Sequence, residues 1–102
     1  MNISTNQEFN LQEVGSSIGH KLRRIKQQEF FRQDHKYLFQ SLTNREIEII
    51  KVLVQGYNNP QIAQRLFISR YTVEQHRKNI NRKLDIHSYS QLFEYALAFD
   101  LV

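Results

Sequence analysis

The feature that most constrains this chain is the short gap between two of its helical stretches. Asn59-Pro60 opens one stretch, with Ile62, Ala63 and Leu66 inward, and Ser69 opens the next. Only Phe67, Ile68 and Ser69 stand between them. Two helices joined that tightly cross at roughly 90–120°. Ala63 is small, which permits close approach at the crossing. Such a pair cannot enclose its own apolar faces, so flanking helices must close the core behind it.

The flanks carry the required signals. Thr43-Asn44-Arg45-Glu46 reads as a capping box, with Thr43 as N-cap and Glu46 at the third helical position. Ile47, Ile50, Leu53 and Val54 form the inward face of that helix, and Gly56 ends it. Asn59 is the expected N-cap of the second helix, with Pro60 at its first position. Ser69 caps the third, whose inward face is Val73, His76, Ile80 and Leu84. Ser88, with Gln91 three residues on, opens a fourth, lined by Leu92, Tyr95, Ala96 and Phe99. Three glycines, one proline and no sustained apolar–polar alternation predict a chain that is nearly all helix.

Upstream the reading is coarser. Residues 1–12 are rich in Asn, Gln, Ser and Glu and read as disordered. Residues 13–40 read as an N-terminal helical extension, in one piece or two. Its stripe of Val14, Ile18, Leu22 and Ile25 must be buried against its own domain, a second subunit or a missing upstream domain. Residues 41–102 form the main domain.

Composition excludes several functions. With no cysteine there is no disulfide, thiol nucleophile or cysteine zinc site. The four histidines, at 20, 35, 76 and 87, show no metal-ligand spacing, so no metal or cofactor is expected. No Gly-rich phosphate loop or nucleophile elbow appears, and the chain reads as a non-enzyme without a small-molecule site. There is no transmembrane run and no signal peptide in the first residues, which makes the cytoplasm the expected compartment. Fourteen Lys and Arg against ten Asp and Glu give a net charge of +4. That excess suits an anionic partner, though a solvated face explains it equally well.

In order, the chain reads Leu42-Thr43-x-Arg45-Glu46, Gly56, Asn59, Ile62-Ala63, Leu66, Ile68-Ser69, Thr72-Val73, His76, Asn79-Ile80 and Lys83-Leu84. Over about residues 41–102 this resembles the LuxR/GerE-type helix-turn-helix, also found at the C-terminus of NarL/FixJ-type response regulators. The resemblance implies an all-α, four-helix DNA-binding domain, preceded here by the extra N-terminal helical segment. It implies transcription regulation through a third helix in the major groove, and a dimer to which the fourth helix contributes.

Carried over by position, the resemblance makes Glu74, Gln75 and Lys78 the base-reading residues. Arg70, Tyr71, Thr72, Arg77 and Arg82 are the expected phosphate contacts. The residue types suit these tasks: Lys78 can donate to guanine, Gln75 can pair with the adenine edge, and Glu74 can accept from cytosine. Glu74 stands where several family members place Lys, so the target sequence is not transferable from them. Glu46 is expected to pair with a basic residue of the third helix, Lys83 being the candidate. Tyr89, Leu92, Phe93 and Ala96, with the stripe Val14, Ile18, Leu22 and Ile25, are the candidate dimerisation residues. Double-stranded DNA, a second copy of the chain and RNA polymerase are the candidate partners.

Relatives usually carry a receiver or ligand-sensing domain, and the leading forty residues cannot hold one. The chain is therefore expected to be either a free-standing small regulator or the C-terminal part of a longer protein. The competing expectation is a protein-interaction module, using the N-terminal stripe and binding DNA only weakly and without sequence preference.

Overall fold

The computed structural model describes residues 11–102, and their side chains from residue 18 onward. Disorder was expected over residues 1–12, of which 1–10 lie outside this range. Five helices follow: α1 (Leu11–Gln40), α2 (Asn44–Val54), α3 (Asn59–Leu66), α4 (Arg70–Leu84) and α5 (Tyr89–Ala98). The fold is all-α.

α1 is one continuous helix of 30 residues, about 45 Å at 1.5 Å per residue. Only its C-terminal part packs on the domain. Phe31, His35 and Phe39 recur every four residues and lie against α5. Phe31 and His35 stack with centroids 3.9 Å apart, and both meet the edge of Tyr95. Phe39 stacks on Phe99 at 4.1 Å. Arg32 Nε donates to the Ala98 carbonyl at 2.8 Å, which satisfies an orphan acceptor at the end of α5.

The core lies between α2, α4 and α5, with α3 closing one side. Ile49, Ile50, Leu53, Ile62, Val73, Ile80, Leu84, Leu92, Tyr95 and Ala96 are all buried there. The Tyr95 hydroxyl donates to the Leu84 carbonyl at 3.3 Å, so this large side chain is buried without an unpaired polar group. Burial also pushes its phenol pKa up.

On α2, Ile50 and Leu53 are buried as expected and Ile47 and Val54 pack half-buried against the same core, with Glu46 and Ile49 joining the inward face. The structure corrects two expectations. The N-cap of α3 is Asn58 rather than Asn59. Asn58 Oδ1 accepts from the Gln61 amide at 3.0 Å, and the Gln61 side chain returns to the Asn58 amide at 2.9 Å. Asn59 is already inside the helix, which frees its side chain for another partner. Finally, Leu92 and Ala96, expected at a dimer surface, are consumed by the core and are 4% and 0% exposed.

Candidate nucleic-acid interface

The site is built from α3, the turn after it and α4. The amides of Phe67 and Ile68 both return to the Ala63 carbonyl, and this ends α3. Phe67 holds a left-handed conformation, φ 57° and ψ 44°, where glycine is the usual residue. Its side chain is 94% exposed, so no packing compensates. Ser69 then starts α4 with its Oγ accepting from the Thr72 amide at 3.0 Å. The Thr72 hydroxyl sits 2.9 Å from the same oxygen, which holds it at the first turn of the helix. Helix starts favour anions, because the first amides have no intrahelical acceptor.

α4 is anchored at both ends of its inner face. Val73, Ile80 and Leu84 are buried, and His76 is half-buried beside them. At the far end, Lys83 Nζ donates to Glu46 Oε1 at 2.8 Å. The same oxygen accepts the Thr43 amide at 2.8 Å, so the capping box of α2 and the last turn of α4 share one atom. Burial pushes the Glu46 carboxyl pKa up. The hydrogen bonds from Lys83 and Thr43, together with the Lys83 charge, outweigh it and hold the pKa below the ordinary value.

At 100° per residue, the face opposite this core carries Tyr71, Glu74, Gln75, Lys78 and Arg82 within an arc of about 100°. Tyr71, Glu74, Lys78 and Arg82 are exposed and Gln75 is partly so. Arg70 is exposed at the edge of this face. The structure thus brings the three expected base-reading residues together on one free surface. Arg82 also donates to Asn79 Oδ1 at 3.1 Å, within its own helix.

Arg77 is placed differently. It lies on the flank of α4, partly buried, and its Nη1 donates to Asn59 Oδ1 at 2.7 Å. This contact fastens the first turn of α3 to the middle of α4. Sequence reasoning missed it because Asn59 had been assigned to capping. Beside it, the Arg65 guanidinium lies over the Tyr57 ring, 3.9 Å from its centroid, and donates to the Tyr57 hydroxyl. That pair ties the loop before α3 to the helix.

α5 presents a second free surface. Tyr89, Phe93 and Leu97 recur every four residues on the side turned away from the core. Tyr89 and Leu97 are exposed, Phe93 is half-buried, and Tyr89 stacks loosely on Phe93. Leu97 was not singled out from the sequence, although its four-residue spacing from Phe93 was the available signal.

Among the described residues, no group of three or more His, Cys, Asp or Glu side chains is arranged to hold a metal ion. None of the described helices is long and apolar enough to cross a membrane.

Comparison with known proteins agrees with this geometry. The family model for bacterial regulatory proteins of the luxR family, GerE, matches residues 40–96, from the end of α1 well into α5. The chain belongs to this family. The oxygen regulatory protein NreC of Staphylococcus haemolyticus is 48% identical over 59 residues, covering 58% of this chain and 27% of that protein. The fimbriae Z protein of Escherichia coli K12 is 43% identical over 61 residues, covering 60% and 29%. The chain therefore spans a little over a quarter of the length of these relatives. A solved structure of the response regulator StyR superposes with a TM-score of 0.58 at 35% identity, covering 84% of this chain and 45% of that one. That coverage exceeds α2–α5, so the likeness extends into α1.

Proposed function

We propose that this chain binds double-stranded DNA in a sequence-specific manner, as a homodimer, and thereby regulates transcription. The observation that carries the reading is the outward face of α4. A tightly turned, doubly anchored helix holds Glu74, Gln75 and Lys78 together and free of the core. Each good side-chain-to-base pair supplies about 1–3 kcal/mol of discrimination. Arg70, Tyr71, Thr72 and Arg82 surround them and serve the phosphates, which position the helix without reading sequence. Arg77 supports the same surface from beneath by holding α3 against α4.

Dimerisation proceeds through Tyr89, Phe93 and Leu97 of α5, pairing two copies so that each α4 enters one major groove. Half-sites about one helical turn apart, roughly 34 Å, follow from such a geometry. Contact with RNA polymerase belongs to the same reading, as the route from DNA binding to transcription.

Selection from a random double-stranded pool with the intact chain tests this. Enrichment of a palindromic motif is the expected result. Salt-sensitive retention of all sequences alike would overturn it.

A further inference from the structure

The N-terminal half of α1 has no role in the reading above, and its chemistry is unusual. Arg24, Gln27 and Gln28 still line a shallow cleft with Glu94, Leu97 and Ala98 of α5, and N-terminal to Arg24 the helix leaves the domain behind. The longest dimension of the molecule is 60 Å, against 26 and 21 Å across. In this half of the helix Ile18, Leu22 and Ile25 are 50%, 53% and 60% exposed. Their spacing of four and then three residues makes a d–a–d seam of a heptad pattern, with the charged residues outside it.

The positions that flank such a seam decide what can lie against it. With Ile18 and Ile25 at d and Leu22 at a, Lys21 falls at g and Lys26 at e. In a parallel, in-register pair, the g side chain of one helix faces the e side chain five residues on in the other. A second copy would therefore set Lys21 against Lys26 twice. In an antiparallel pair g meets g and e meets e, which sets Lys21 against its own copy when Leu22 lies over Ile18. Arg23 and Arg24 add to the same sign, and from Gly15 to Gln28 the chain contains no Asp or Glu. Lys21, Arg23, Arg24 and Lys26 are all exposed.

We infer that the N-terminal half of α1 is one strand of a heteromeric helix pair, whose partner is an acidic amphipathic helix of another protein. Leucine or isoleucine of that helix fills the seam of Ile18, Leu22 and Ile25, and its glutamates meet Lys21 and Lys26. The like charges disfavour self-pairing, and charge complementarity selects the partner. A seam of under two heptads is marginal for free peptides. Here the helix is already ordered, because Phe31, Arg32, His35 and Phe39 anchor its C-terminal part on α5, and the ordering cost on binding falls accordingly. The surface is separate from the α4 face, so its test and that of DNA reading fail independently.

The experiment titrates the full chain with a labelled acidic peptide, leucine at its seam and glutamate at both flanks, and with its lysine-flanked counterpart. Fluorescence anisotropy is the readout, with circular dichroism confirming that each variant keeps its helix. The acidic peptide should bind about tenfold or more tighter than the basic one. Leu22→Ala with Ile25→Ala should abolish binding of the acidic peptide. Lys21→Glu with Lys26→Glu should reverse the preference. Equal binding of both peptides, binding of neither, or a preference unmoved by charge reversal would overturn the proposal. So would a homodimer in sedimentation equilibrium that Leu22→Ala and Ile25→Ala dissolve, or binding of phosphatidylserine vesicles with the same residue dependence in place of the peptide.

Discussion

Lys83 donates to Glu46 across 37 residues of chain, at 2.8 Å, onto the carboxylate oxygen that also receives the Thr43 amide. One buried oxygen thus fixes the start of α2 and the end of α4 at once. The position of the outward face of α4 depends on both.

This pair should contribute to stability. Removing one partner of a buried pair typically costs about 3–5 kcal/mol. The Lys83 side chain keeps 21% exposure, so Lys83→Met should cost less, about 2 kcal/mol. The pair also sets a pH dependence. Because the folded Glu46 pKa is depressed, its contribution is fully present above the ordinary carboxylate value of the unfolded chain. It is lost as pH falls through the folded value. Urea denaturation between pH 7 and pH 3 checks this: wild type should lose more stability on acidification than Glu46→Gln.

The two arginines of α4 should separate by assay. Arg82 is exposed on the outward face, so Arg82→Ala should weaken binding to all sequences alike and reduce the salt slope by about one. Arg77 is partly buried on Asn59. Arg77→Ala should cost about 1.5–3 kcal/mol of stability, as lost hydrogen bonds to charged groups do. Its salt slope should stay near that of wild type. Affinity measured across a salt series, with thermal unfolding alongside, distinguishes the two.

Phe67 holds its left-handed backbone without packing in return. That conformation costs a non-glycine residue roughly 1–2 kcal/mol, and glycine adds unfolded-state entropy of about 0.4–1 kcal/mol. Phe67→Gly should therefore stabilise the domain by about 0.5 kcal/mol, visible as a rise of a few degrees in Tm.

Dimerisation through α5 should depend on its free stripe. Phe93→Glu with Leu97→Glu places like charges at the pairing surface, and both side chains lie outside the core cluster. The variant should sediment as a monomer. It should bind a palindromic site at least about tenfold more weakly, while keeping its affinity for a single half-site.

Much of this was legible in the sequence because it is local. Thr43 and Ser88 declare helix starts through Glu46 and Gln91 three positions on, Ser69 does so by its residue type, and the Phe67–Ser69 gap declares the crossing. Asn59 was misread because two asparagines precede Pro60, and proline is accepted at either of the first helical positions. The deciding signal was Gln61, three residues after Asn58, which completes the capping box. Leu92 and Ala96 show a different limit. Helical spacing reveals an apolar face but not whether it meets its own core or a partner. The stripe of α1 has the same ambiguity, since only the fold shows that Ile18, Leu22 and Ile25 stay exposed. Phe67 carried no signal, because the left-handed turn it occupies ordinarily announces itself by glycine.

The most direct test of base reading by α4 is a comparison of DNA preferences between wild type and Lys78→Ala. Both are taken through the same selection at one salt concentration. The account predicts that Lys78→Ala relaxes one position in each half-site and leaves the others unchanged. A uniform loss of affinity across all sequences, with the preferred motif intact at every position, would contradict it.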